Sequence, residues 1–173
     1  MNILSRFRLV KTFVFDMDGV LTDGSLHMDH ENRWLRKMNI KDGYALQLAI
    51  KNGYRIVVVS GSDAPPVSER LHKLGIGDVF MKVTDKAGVL KNYLSLNGLS
   101  AAETLYMGDD IPDYQCMGMV GFACCPGDAA VEIKKISLYI SPIKGGCGCV
   151  RDVIEKVLKL NNNWPFHTDV PST

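Results

Sequence analysis

Apolar runs and amphipathic stretches alternate along most of this chain. Runs rich in β-branched and aromatic residues, at 10–16, 55–60, 78–81, 104–107, 121–124 and 138–140, read as strands. Arg55-Ile56-Val57-Val58-Val59-Ser60 is apolar without alternation, the pattern of a parallel strand covered on both faces. Between the strands, 43–52, 65–74, 86–97 and 149–160 read as helices. Asp42 reads as the N-cap of the first, with Gly53 as its stop. Pro65 and Pro66 open the second, Gly75 closes it, and Gly98 ends the third. This alternation predicts an α/β fold, a Rossmann-like three-layer αβα arrangement around a mainly parallel central sheet. Residues 1–160 read as one domain. Residues 161–173 read as a polar, proline-containing tail, mobile in isolation.

Residues 24–39 break the alternation. They read as two short strands around a turn at Asp29–Asn32, a β-hairpin projecting after the first strand. The segment is too short to be an inserted cap domain. A lone hairpin is marginal in water. Leu26, Met28, Trp34 and Leu35 therefore predict that it is buried against another subunit.

A length of 173 residues suffices for a real hydrophobic core, and a net charge of +1 gives no reason to expect nucleic acid or a polyanionic surface as partner. No apolar run approaches a membrane span, and Met1–Arg8 lacks the apolar core of a secretory signal. A cytoplasmic protein is expected. The five cysteines fit reduced thiols. Neither Cys124-Cys125 nor Cys147-x-Cys149 has the usual separation of zinc ligands, so small buried or loop thiols are expected. His27, His30, His72 and His167 are scattered and read as surface residues.

The chemistry gathers at strand ends. Asp16-Met17-Asp18-Gly19-Val20 directly follows the first strand. At a frayed strand end both carboxylates can lean into one crevice, and open α/β sheets bind ligands beyond the carboxyl ends of their strands. This stretch resembles the first motif, D-x-D-x-[TV], of the haloacid dehalogenase-like phosphatases. The resemblance implies Asp16 as nucleophile and metal ligand, and Asp18 as general acid, then base. Repelling carboxylates call for a cation such as Mg2+ between them, and the acid role calls for a raised pKa at Asp18. Ser60, in Ser60-Gly61-Ser62, can donate to a phosphoryl oxygen. Lys86, opening a helix, can neutralise the nucleophile. Gly108-Asp109-Asp110-Ile111-Pro112-Asp113, after another strand, reads as a second metal arm. The parts follow the superfamily's order. By resemblance the metal ligands are Asp16, the backbone carbonyl of Asp18, and Asp109, with Asp110 and Asp113 orienting the metal's surroundings.

A closer resemblance rests on Asn39-Ile40-Lys41-Asp42-Gly43-Tyr44, the Gly108–Asp113 run and Gly145-Gly146-Cys147-Gly148-Cys149. Over about residues 8–160 the chain is similar to the 3-deoxy-D-manno-octulosonate 8-phosphate (KDO 8-phosphate) phosphatase family, a capless branch that forms homotetramers through its hairpins. The resemblance implies hydrolysis of that phosphorylated sugar acid on the route to lipopolysaccharide. It also implies substrate contacts from Asn39, Ile40, Lys41, Asp42, Gly43 and Arg70, beside Gly61, and closure of the Gly145 segment and tail over a neighbouring subunit's site. Lys41 and Arg70 would meet the substrate carboxylate. Two positions depart from the family. Ser62 and Gln47 stand where many members carry Arg, which leaves room for a nine-carbon substrate of the KDN 9-phosphate type. The other readings weighed are a non-catalytic tetramerisation module and a phospho-acceptor receiver domain. The complete set of Asp16, Asp18, Ser60, Lys86 and Asp109 argues against the first, and the Asp-x-Asp-Gly loop with its hairpin against the second.

Overall fold

The computed structural model describes residues 2–164. In chain order its elements are α1 (Ile3–Leu9), β1 (Thr12–Phe15), β2 (His27–Met28), β3 (Trp34–Leu35), α2 (Ile40–Lys51), β4 (Arg55–Val59), α3 (Pro65–Lys73), β5 (Asp78–Phe80), α4 (Lys86–Leu96), β6 (Thr104–Met107), α5 (Tyr114–Met119), β7 (Phe122–Cys125), α6 (Val131–Ile136), β8 (Tyr139–Ile140) and α7 (Cys149–Leu160). Six strands form one sheet in the order β5-β4-β1-β6-β7-β8, and every neighbouring pair is parallel. β2 and β3 pair antiparallel as a separate hairpin. The predicted three-layer αβα fold without a cap domain is the observed one.

Strand alternation divides the core in two. Phe13, Phe15, Ile56, Val58, Leu105 and Met107 face a layer built from α1, α2, α3 and α7. Val14, Val57, Val59 and Tyr106 face α4, α5 and α6. β1 is central and buried throughout, so the residue that follows it emerges at the middle of the sheet's C-terminal edge.

Several boundaries differ from the sequence reading. Three helices were not expected: α1, α5 and α6 span six or seven residues each, too short to display a period. The Asn2 side chain accepts from the Leu4 N–H at the start of α1. Phe7 anchors that helix with 2% exposure, its ring centroid 4.5 Å from that of Phe122. α2 starts earlier than expected, at Ile40, and its N-cap is Asn39 rather than Asp42. Asn39 Oδ1 accepts from Lys41 N–H at 2.9 Å. Asp42 lies inside the first turn and is 2% exposed. Its Oδ1 accepts from the Arg151 N–H at 2.7 Å, capping α7 instead. Its Oδ2 is buried without a partner, and burial pushes the carboxyl up to about 6.

The hairpin has two-residue strands, with Met28 60%, Trp34 59% and Leu35 48% exposed. Part of the expected tail is packed: the Trp164 ring meets Tyr44 edge-on at 5.9 Å, and the Arg151 guanidinium lies 5.3 Å from the Trp164 ring. Residues 165–173, and with them His167, lie outside the described residues. His27, His30 and His72 are exposed, as expected. All five cysteines are free and only Cys147 is exposed. No helix among the described residues is long and apolar enough to cross a membrane.

If α1 is integral to the core, Phe7→Ala should destabilise the protein by about 3–5 kcal/mol in urea unfolding. A loss below about 1 kcal/mol would contradict that packing.

Candidate active site

The ends of β1, β4 and β6 and the start of α4 converge on one crevice. Asp16 ends β1, its N–H bonded to the Met107 carbonyl of β6 at 3.0 Å. Its Oδ1 accepts from the Met17 N–H at 2.7 Å. Met17–Leu21 then makes one wide turn, closed by Thr22 N–H on the Met17 carbonyl at 3.0 Å. Gly19 is required in this turn. Its φ is +82°, and a Cβ there would lie 2.0 Å from Asp109 Oδ2. Gly145 and Gly146 brace the turn from behind: a Cβ on Gly145 would stand 1.9 Å from the Gly19 carbonyl oxygen, and Gly146 N–H bonds the Val20 carbonyl at 2.9 Å. The Gly-Gly segment thus lies against the chain's own Asp16–Thr22 turn.

The charged groups form a tight array. Lys86 Nζ stands 2.9 Å from Asp16 Oδ1 and 2.8 Å from Asp113 Oδ1. Asp16 and Lys86 are each 8% exposed, and Asp113 is fully enclosed. One ligand atom from each of Asp16, Asp109 and Asp113 lies within 4.8 Å of the others. Burial, with repulsion from Asp113, pushes the Asp16 carboxyl from 3.8 up to about 7 despite the pull of Lys86. Burial and the charges of Asp16, Asp113 and Asp110 push Asp109 up to about 7. Burial opposes the Lys86 ammonium, but Asp16 and Asp113 outweigh it and raise its pKa. One ammonium does not balance three clustered carboxylates. The donor set, all hard oxygen, fits a small divalent cation.

Asp18 behaves contrary to expectation. Burial raises its pKa, but hydrogen bonds from Arg36, Ser62 and Thr22 prevail and hold the carboxyl below the ordinary range. Arg36 Nε donates to Asp18 Oδ1 at 2.8 Å and Nη2 to Oδ2 at 3.2 Å, a bidentate pair. Ser62 Oγ donates to Oδ2 at 2.6 Å. Arg36 was not identified from sequence. It sits just past β3, and no spacing links it to a carboxylate 18 residues earlier. Ser60 is buried, and its Oγ accepts from Ser62 N–H at 3.1 Å. Gly61 is exposed beside it.

The remaining expected residues divide. Arg36 and Arg70 line one cleft of about 340 Å³ with Trp34, Met38, Ile40 and Val67. Lys41 instead lines a different hollow, with Arg151 and Lys156. The expected pairing of Lys41 with Arg70 on one substrate group is therefore not formed within this chain. Asp42 and Gly43 are buried, with Asp42 committed to capping α7, so neither offers a surface for substrate. Asn39 is engaged as the α2 cap, and Gln47 is half-buried on α2. Asp110 is exposed and accepts from Ile111 N–H at 2.8 Å, capping the following turn outside the three-carboxylate group.

No family model matches the sequence. The 3-deoxy-D-manno-octulosonate 8-phosphate phosphatase KdsC of Yersinia pestis is 27% identical over 157 residues, which is 91% of this chain and 84% of that protein. The structure of 3-deoxy-D-manno-octulosonate 8-phosphate phosphatase from Moraxella catarrhalis, in complex with magnesium ion, phosphate ion and KDO, matches with a TM-score of 0.89. The identity is 29%, covering 93% of this chain and 92% of that one. A protein from Pseudomonas syringae, named a probable YrbI family phosphatase, matches with a TM-score of 0.89 at 31% identity, covering 92% of this chain and 91% of that one.

The raised carboxyls make a pH prediction. With Asp16 and Asp109 moved from 3.8 to about 7, the native protein binds more protons than the unfolded chain between those values. Metal-free stability from these groups should fall as pH rises through that window. Added Mg2+ should raise the unfolding midpoint more at about pH 8 than at about pH 5. An equal or absent Mg2+ effect at the two pH values would contradict the assignment.

Proposed function

We propose that this chain, which belongs to the KDO 8-phosphate phosphatase family of the haloacid dehalogenase-like superfamily, hydrolyses KDO 8-phosphate to KDO and phosphate. It is a phosphoric monoester hydrolase, and its cofactor is Mg2+. The observation that carries the reading is the array of buried Asp16, Lys86 and Asp113 with half-buried Asp109, in a fold shared with a relative that holds magnesium, phosphate and KDO.

Among the described residues both side-chain contacts of Asp16 engage Oδ1, which leaves Oδ2 as the oxygen that attacks phosphorus. The Asp16–phosphorus bond forms as the bond to the sugar oxygen breaks, and Asp18 delivers the proton that the leaving alkoxide takes. Asp18 then removes a proton from the water that hydrolyses the aspartyl-phosphate. The pairing with Arg36 suits that second role. In the first role the guanidinium exchanges Asp18 for the incoming phosphate ester. Ser60 donates to a phosphoryl oxygen, and Lys86 offsets charge on the nucleophile. Asp16, Asp109 and the backbone carbonyl of Asp18 would hold Mg2+, which supplies positive charge to the phosphoryl oxygens when bound.

The cleft beside Asp18 suits a sugar acid, with Arg70 for a carboxylate and Trp34 and Ile40 as apolar wall. Ser62 contributes no charge there because its hydroxyl serves Asp18. That observation keeps a nine-carbon sugar acid as the second reading. The exposed Leu26, Met28, Trp34 and Leu35 support assembly through the hairpins into a homotetramer. The pathway is lipopolysaccharide precursor synthesis, in the cytoplasm.

Phosphate release should be fastest from KDO 8-phosphate, ahead of KDN 9-phosphate and simple sugar phosphates, and should stop with EDTA and return with Mg2+. Asp16→Asn should lower turnover by about 10³-fold or more while the protein stays folded. Preference for another ester would move the enzyme to a different substrate. Metal-independent turnover, or an active Asp16→Asn protein, would overturn the catalytic reading.

A further inference from the structure

Tyr106 has no part in the reaction as written, yet its hydroxyl lies inside the charged array. It stands on β6, fully buried, on the face shared with Val14 and Val57. A phenylalanine would fill the same space. What only tyrosine supplies is the O–H, which donates to Asp113 Oδ1 at 2.8 Å. A buried phenol needs such a partner. Burial and the neighbouring charge of Asp113 raise the Tyr106 pKa well above its ordinary value, so the group remains a donor.

Asp113 accepts from three neighbours. Oδ1 accepts from Tyr106 and from Lys86 Nζ, each at 2.8 Å, and Oδ2 accepts from the Asp109 N–H at 3.1 Å. Gly108 makes room for this arrangement, since a Cβ there would lie 2.4 Å from Asp113 Cβ. Asp113 is close enough to Asp16 and Asp109 to serve as a third cation ligand. Its oxygens are instead occupied by three donors, and Lys86 is held between Asp113 and Asp16 Oδ1.

We propose that Tyr106 is a positioning residue whose hydroxyl commits Asp113 to Lys86 rather than to the metal ion. Held that way, the ammonium stays on Asp16 Oδ1 and leaves Oδ2 toward phosphorus. Without the hydroxyl, Asp113 loses one of its three donors and is drawn toward the divalent charge, and Lys86 loses its anchor. Hydrogen-bonding partners behind a metal site commonly have effects of this kind. The inference deepens the phosphatase reading and rests on it for its catalytic half.

Tyr106→Phe keeps the ring and removes only the donor. Its kcat on KDO 8-phosphate should fall by about 10- to 100-fold, with KM within about twofold of the parent. Its Mg2+ affinity, titrated calorimetrically without substrate, should rise as Asp113 turns to the cation, the reverse of the loss usual when a group supporting a metal ligand is removed. The thermal midpoint should stay near the parent value. Unchanged kcat would overturn the proposal, as would a fall in kcat with Mg2+ binding unchanged or weakened. If the parent protein does not hydrolyse the ester, the phosphatase reading fails. The calorimetric comparison still decides what Asp113 is committed to.

Discussion

Three carboxylates and one ammonium share an enclosed volume at the middle of the sheet edge, and the rest of the site follows from keeping them there. Like charges out of water repel strongly and force one another toward neutrality. Asp16 and Asp109 both move up to about 7, through burial first and the repulsion of neighbouring carboxylates second. Lys86, at 2.8–2.9 Å from Asp113 and Asp16, offsets part of the charge. A bound divalent cation would offset the remainder and return both carboxylates toward the ionised form. The cluster is thus a poor stabiliser of the fold on its own and a ready site for Mg2+ and a phosphate ester together.

Close approach depends on what is missing from the backbone. Asp109 can reach the Asp16 turn because Gly19 has no side chain, and the Gly145-Gly146 segment can brace that turn only because neither residue carries one. The parallel sheet does the larger part. β1 is flanked by β4 and β6, so residues from three strand ends, Asp16, Ser60 and Asp109, arrive in one place without any long loop.

The sheet and most of the residues gathered at its edge were legible in the sequence for physical reasons. Strands covered on both faces read as unbroken apolar runs, and polar residues that end such runs stand out against them. Ser60 and the Gly108–Asp113 run stood out in that way, whereas Lys86, which opens α4 instead of ending a strand, was placed by resemblance to the superfamily's order. α5 and α6 were not, because six residues give less than two helical turns of pattern. Asn39 and Asp42 are both good capping residues. Only the fold shows that Asp42 caps α7 instead, through a contact spanning 109 residues. The charge states were the hardest to foresee. Asp18 was expected to be raised and is lowered, because Arg36 arrives from the hairpin, a segment the sequence placed but could not orient. The arginine thereby ties the Asp18 carboxylate to the hairpin, whose apolar side chains are exposed in a single chain.

The most direct test of the account is where the phosphoryl group resides during turnover. A mixture of enzyme, Mg2+ and KDO 8-phosphate, quenched rapidly in acid, can be digested and its peptides mapped by mass spectrometry. The account predicts a hydroxylamine-sensitive phosphoryl group on Asp16, absent without Mg2+ and absent in Asp16→Asn. Phosphate released with no such adduct, or an adduct on a different residue, would contradict it.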